Sequence, residues 1–127
     1  MVARAQIADT FIAFAFGVGL IVVPDLILSI YGAHTDAAGI VTARLLGAFT
    51  LGYAAVNWYT SRAVDAPLAR DIIRSQGAVD AVAVVIAVAA TLAGTVNALG
   101  WSLVGLFVVL AAIRLYGTAT MPRVATS

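Results

Sequence analysis

Four long apolar stretches separated by shorter polar breaks dominate this chain. They cover approximately residues 7–30, 40–59, 77–99 and 101–117. Their lengths are close to the roughly 20 residues that a helix needs to cross about 30 Å of hydrocarbon. None shows the sustained alternation of a strand, and an open sheet would leave backbone groups unpaired in lipid. The pattern therefore predicts an all-α integral membrane protein that forms a single domain over residues 1–127.

The breaks between the stretches predict how the helices connect. Residues 31–36 and 97–100 are short, and each contains a glycine that suits a tight reversal. Short connections make consecutive helices antiparallel neighbours. The middle break, residues 61–76, is longer, and Pro67 is suited to the first turn of a helix that continues into the third stretch. We therefore expect an antiparallel four-helix bundle.

The first stretch contains an internal break at Pro24 and Asp25. Because proline ends or kinks a helix, the span is expected to end near Val23, and Asp25 to start a short interfacial helix up to Tyr31. An alternative is that the stretch is a secretory signal, since Arg4 precedes its Phe-rich core. Cleavage would then leave three spans.

Composition excludes water as the main solvent. The chain is 63% hydrophobic and only 10% charged, whereas soluble domains are about a quarter charged. The formal net charge is +1, which gives no reason to expect a nucleic acid as partner. The absence of cysteine excludes disulfides, thiol catalysis and thiolate metal sites.

Arginine positions predict the orientation, because short cytoplasmic loops are enriched in basic residues. Five of the seven basic residues lie at the termini or in the middle break: Arg4, Arg62, Arg70, Arg74 and Arg123. Both termini and the middle break are therefore expected on the cytoplasmic side. Interfacial aromatic residues agree with this placement, with Tyr31 and Trp101 on the outer side and Trp58, Tyr59 and Tyr116 on the inner side.

Small residues at four-residue spacing predict close contacts between helices. The pairs include Ala13 with Gly17, Ala43 with Gly47, Ala48 with Gly52, Ala83 with Ala87, and Ala90 with Gly94. Two stripes are expected to face the bundle: Gly47, Thr50, Ala54 and Asn57 on the second span, and Gly77, Asp80, Ala87, Thr91 and Gly94 on the third. Packing is the favoured interpretation of these stripes, and a channel lining is the alternative.

Charged residues inside the spans are costly in hydrocarbon and usually face a partner or a wet cavity. Sorting them by depth predicts two polar layers. Arg44 would pair with Asp25 or Asp36 in the outer layer. The inner layer would pair Arg114 with Asp80 or Asp9, with Asn57 at similar depth. The hypothesis is that Asp80 and Arg114 form a buried pair that holds two helices together or poises a proton site. The alternative is that the arginines reach lipid headgroups and the aspartates cap helices.

Motifs for enzymatic chemistry are missing from the sequence. One histidine and no cysteine cannot supply a bis-His haem or a His-rich metal centre within one chain. His34 lies in a loop beside Asp36, where a solvated side chain is the ordinary role. No Gly-rich phosphate loop and no serine nucleophile beside a histidine base are present. We therefore predict no catalytic residue, no metal and no cofactor, and favour a non-catalytic protein over an enzyme.

A resemblance to a known family runs over most of the chain. The residues that carry it are Gly19, Pro24, Tyr31-Gly32, Ala43-Arg44-Leu45-Leu46-Gly47, Gly52, Trp58 and Arg62. In these positions the chain resembles small four-helix bacterial membrane proteins of the DoxX-like type. The resemblance implies a multi-pass protein of the bacterial plasma (inner) membrane. Relatives named for DoxX are associated with respiratory or redox complexes as accessory subunits, and no family catalytic residue maps onto this sequence.

Two functional hypotheses follow from these features. The first is a non-catalytic accessory subunit of a membrane complex, whose apolar faces bind lipid, quinone or the helices of a partner protein. The second is a small homo-oligomeric transporter or channel built around the polar layers at Arg44 and Asp80. The first is favoured because the few polar residues are accounted for by stabilising pairs.

Overall fold

The protein is all-helical over residues 1–122, the part of the chain that the computed structural model describes. Arg123, predicted on the cytoplasmic side, lies outside this part. The helices are α1 (Val2–Val22), α2 (Pro24–Ile30), α3 (Ala37–Ser61), α4 (Pro67–Leu92) and α5 (Gly100–Thr120). All except α2 are long and apolar enough to cross a membrane. The prediction of four long apolar helices and no strand is thus confirmed for the described residues.

The break at Pro24 divides the first apolar stretch into two helices, as predicted. α1 ends at Val22, and Pro24 occupies the start of α2, where proline loses no helical hydrogen bond. The end of the first span near Val23 is thus confirmed, whereas the predicted start of the apolar stretch at residue 7 is too late. α1 begins at Val2, five residues before the predicted start. Its first turn is helical, but its polar residues lower the local hydropathy, so the apolar stretch excludes it.

The third apolar stretch also differs from its predicted bounds. α4 begins at Pro67, as the proline indicated, but it ends at Leu92 and does not reach Leu99. Gly94 has a φ of +73°, a left-handed conformation that glycine adopts without a side-chain clash. Gly94 therefore belongs to an exposed turn and not to the bundle-facing stripe predicted for it. Hydropathy alone cannot detect this reversal, since the residues after Leu92 remain largely apolar.

The four long helices form two tightly packed pairs, α1 with α3 and α4 with α5. In the first pair, two glycines let the backbones touch. A Cβ atom added at Gly47 would lie 2.7 Å from the carbonyl oxygen of Gly17. Ala13 and Ala43 are buried beside this contact. The predicted packing role of these small residues is confirmed, whereas Gly52 faces outward and a Cβ there would meet nothing within 4 Å.

Hydrogen bonds are present at both ends of the bundle, where they join the two pairs at one end and lie within the α4–α5 pair at the other. At one end, the Asn97 backbone N–H donates to the Tyr31 carbonyl over 2.8 Å, and its side-chain amide donates to the Ile30 carbonyl over 2.9 Å. At the other end, the Arg70 guanidinium donates to the Pro122 carbonyl over 2.6 Å. The loops predicted to share one side of the membrane are therefore in contact, and the deeper polar contacts lie toward the Arg70 end.

Candidate functional site

The Arg114 side chain is the centre of a polar cluster inside the bundle, and it is fully buried. A guanidinium carries five N–H groups, and Arg114 makes five hydrogen bonds with them. Nε donates to the Gln6 side-chain oxygen over 2.7 Å. One terminal nitrogen donates to the Tyr53 hydroxyl, also over 2.7 Å. The donor capacity of this arginine is therefore used within the chain.

Two carboxylates accept the remaining short hydrogen bonds of Arg114. Its nitrogens lie 2.6 Å from an oxygen of Asp9 and 2.6 Å from an oxygen of Asp80. Both aspartates are nearly inaccessible, with 5% and 2% of their surface exposed. The side-chain amide of Asn57 donates to the same Asp9 oxygen over 2.9 Å and also places its own oxygen 3.3 Å from Arg114. One guanidinium thus bridges two carboxyl groups on different helices.

Side-chain amides extend the cluster toward the ends of the helices. The Gln6 amide donates to the Thr60 hydroxyl and to the Gln76 oxygen, each over 2.8 Å. The Gln76 amide donates to the Asn57 oxygen over 2.7 Å. Among the described residues, no buried side-chain nitrogen or oxygen lacks a hydrogen-bond partner. A buried polar network is stabilising only when its members are satisfied, and this one is.

Helical periodicity explains why these residues meet. Within each contributing helix they recur at three- or four-residue spacing, which places them on one face. α1 contributes Gln6 and Asp9, α3 contributes Tyr53, Asn57 and Thr60, α4 contributes Gln76 and Asp80, and α5 contributes Arg114. All four long helices therefore enter one hydrogen-bonded network, which connects the α1–α3 pair to the α4–α5 pair.

The low dielectric constant of the buried surroundings strengthens the ionic contacts of this network and also makes them costly to break. Attraction between opposite charges increases as water is removed, but an unpaired charge in such surroundings carries a large desolvation penalty. The two carboxyl groups would be such charges without Arg114. The chemistry that the arrangement supports best is therefore a fixed electrostatic joint between helices, with acid groups held by a permanent cation.

The polar contacts predicted around Arg114 are present. Arg114 contacts Asp80 and also Asp9, so that the two alternatives for its partner occur together. Asn57 lies in the same cluster, as its depth indicated. If Arg114 only reached lipid headgroups, its side chain would extend toward the surface. Instead it is fully buried, so this alternative is wrong for Arg114.

The predicted outer layer does not form within this chain. Arg44 is exposed, and the ion pairs within residues 1–122 are those of Arg114 alone. Asp25 is exposed in the first turn of α2. Asp36 instead caps α3, since its carboxylate accepts from the Gly39 N–H over 2.9 Å. A capping aspartate already has a local partner, and depth alone does not show which face a residue occupies.

Four members of the cluster were not predicted from the sequence: Gln6, Tyr53, Thr60 and Gln76. Two of them fall one residue before the predicted starts of the first and third spans. Helical spacing could have identified these two residues, because Gln6 precedes Asp9 by three positions and Gln76 precedes Asp80 by four. Apolar windows end at polar residues and therefore exclude the turns in which such side chains occur.

Other polar features of the described residues are more superficial. Asp25, His34 and Thr35 help to line a surface cavity of about 300 Å³ beside α2. His34 itself is exposed, in line with the prediction of a solvated loop histidine. Among residues 1–122, no three histidine or acidic side chains come together in a way that could hold a metal ion.

Comparison with known proteins gives no matching family, no matching curated protein and no matching solved structure.

Proposed function

We propose that this chain is a non-catalytic accessory subunit of a membrane complex, in which the Arg114 cluster holds the helices and the outer faces bind lipid, quinone or partner helices. The observation that carries this proposal is the full internal use of the Arg114 hydrogen bonds. A ligand would have to displace short charged contacts to reach this group. The cluster is therefore better suited to holding helices together than to binding a substrate.

The outer faces support the same proposal. Large apolar side chains are widely exposed, among them Phe11 at 65%, Phe49 at 77% and Val85 at 69%. Exposed apolar area on this scale requires lipid or a protein partner to cover it. The DoxX-like resemblance, which implies accessory subunits of respiratory or redox complexes, points to a bacterial inner-membrane complex as the setting.

We further propose that the chain forms an antiparallel bundle with both termini on the cytoplasmic side of the membrane. Side-chain contacts support the antiparallel arrangement, since Gln6 near the start of α1 binds Thr60 near the end of α3. Asp80 in the first half of α4 likewise binds Arg114 in the second half of α5. Arginines are enriched at the end of the bundle that holds both termini and the connection between α3 and α4, and this enrichment supports the placement of that end on the cytoplasmic side.

Single cysteines will test the orientation, because the natural sequence contains none. In intact spheroplasts, a membrane-impermeant maleimide should label His34→Cys but should label Asp65→Cys only after permeabilisation. Both positions are exposed and lie in loops at opposite ends, so they form a matched pair. Labelling of Asp65→Cys alone in intact cells would reverse the proposed topology.

Purification at native expression tests the accessory role. In mild detergent, the tagged chain should co-purify in fixed stoichiometry with an oxidase or dehydrogenase complex whose activity can be assayed. Gly47→Leu, which forces α1 away from α3, is the control variant and should lose the complex. Recovery of the wild-type chain free of any such complex would count against the proposal.

A second candidate is a homo-oligomeric transporter or channel, and the exposed position of Arg44 favours it. Arg44 forms no ion pair among residues 1–122, and a charge of this kind within a membrane helix can find a partner in a neighbouring copy. This candidate predicts a symmetric oligomer and substrate-dependent flux in liposomes, both of which should disappear in Arg44→Gln. The accessory subunit should show no flux in the same vesicles.

A further inference from the structure

An apolar groove of about 310 Å³ runs along the outer surface of the α1–α3 pair, near the end of α3. Its walls include Thr10, Phe14, Leu51, Ala55, Trp58 and Tyr59. The Thr10 hydroxyl already donates to the Gln6 carbonyl over 2.8 Å. The groove therefore offers mainly aromatic and aliphatic surface, and of its two side-chain hydroxyls the one on Thr10 is already used while the one on Tyr59 is exposed.

One end of this groove carries a positive charge. Arg62 follows the last residue of α3, and its guanidinium lies 4.7 Å from the centre of the Trp58 ring. Leu51, Ala55 and Trp58 recur at four- and three-residue spacing and therefore share one face of α3, and Arg62, the C-cap residue in αR conformation, follows Trp58 by four positions. Arg62 is exposed and forms no ion pair with an acidic residue among residues 1–122. An apolar groove thus ends at a cation without an acidic partner in this part of the chain.

We propose that this groove binds an anionic phospholipid from the leaflet at the Arg62 end. One acyl chain would lie against Phe14, Leu51 and Trp58, and the phosphate would contact Arg62. The inference rests on the proposed membrane placement of the chain, but not on the identity of any protein partner. Each basic residue at a membrane surface favours anionic lipid by about five-fold in affinity.

Tryptophan fluorescence can report directly on occupancy. The chain has two tryptophans, so Trp101→Phe leaves Trp58 as the only one. This variant is reconstituted into phosphatidylcholine vesicles that contain brominated acyl chains on either phosphatidylglycerol or phosphatidylcholine. Brominated phosphatidylglycerol should quench Trp58 at a mole fraction about five-fold lower than brominated phosphatidylcholine does.

Two arginine variants separate the groove from general charge effects. Arg62→Gln, made in the Trp101→Phe background, should abolish the preference for phosphatidylglycerol. Arg44→Gln is the matched control, because Arg44 is exposed on the same face of α3 about 27 Å away. It should leave the preference unchanged. A third variant, Ala55→Phe, retains Arg62 but fills the groove, and it should reduce quenching by both lipids.

Several results would overturn the inference. Equal quenching by both lipids would remove the role of Arg62, and an equal loss in Arg44→Gln would make the preference a general charge effect. Absence of quenching by either lipid would mean that protein covers Trp58. Flotation of the chain with the vesicles verifies membrane insertion separately. Co-purification of a redox complex is likewise independent, so failure of lipid binding is distinguishable from failure of the accessory role.

Discussion

Arg114→Gln should destabilise the protein by about 3–5 kcal/mol, the loss expected when one partner of a buried ion pair is removed. Glutamine cannot replace five N–H donors or neutralise the carboxyl groups of Asp9 and Asp80. The thermal midpoint in detergent should fall by on the order of 10 °C. Because the two helix pairs are joined at this cluster, loss of structure should begin with their separation.

Conservative and distant variants make this result specific. Arg114→Lys retains the charge but not the planar set of donors, so it should recover only part of the lost stability. Asp80→Asn should be milder than Arg114→Gln, since it leaves Asp9 paired with the guanidinium. Arg44→Gln changes an exposed arginine on a long apolar helix and should have little effect. Equal losses in Arg44→Gln and Arg114→Gln would show that burial of Arg114 is unimportant.

Gly47→Leu should separate α1 from α3 and is the second large effect that we expect. A Cβ atom at this position would lie 2.7 Å from the Gly17 carbonyl oxygen and 3.0 Å from the Leu20 Cβ atom. A backbone oxygen cannot rotate away as a flexible side chain can, so the helices must move apart. Overpacking of this kind typically costs about 1–3 kcal/mol and sometimes more. Thermal unfolding in detergent should report the loss.

Gly52→Leu is the matched control for this substitution. Gly52 lies in the same helix, but a Cβ atom there would meet nothing within 4 Å. The same residue change should therefore leave stability unchanged or raise it slightly, because leucine is the better helix former. If both variants lose stability to the same extent, the close approach of Gly17 and Gly47 does not hold this pair together.

Sequence patterns predicted the helices well because membrane helices impose strong constraints on length and polarity. Pro24 correctly indicated the end of the first span, and Pro67 correctly indicated a helix start, since proline fits the first turn. The end of α4 could not be predicted in this way, because Gly94 reverses the chain inside an apolar stretch. Backbone conformation, and not hydropathy, decides that boundary.

The candidate site was predictable in its charges but not in its extent. Arg114, Asp80 and Asp9 stood out because ionised groups are expensive in hydrocarbon. Gln6 and Gln76 are cheaper to bury and lie at the edges of apolar windows, so their role emerged only from the contacts of the folded helices. The predicted Arg44 layer failed for a related reason, since depth in the membrane does not determine which face of a helix a residue occupies.

A double-mutant cycle between Arg114 and Asp80 tests most directly whether the buried cluster joins the helix pairs. Unfolding free energies would be measured for Arg114→Gln, Asp80→Asn and the double variant, with Arg44→Gln and Asp25→Asn as the control pair. Neutralising Asp80 relieves the carboxyl group that loss of Arg114 leaves unpaired, so the double variant should be no less stable than Arg114→Gln alone. Strictly additive losses in the Arg114–Asp80 cycle would contradict the account.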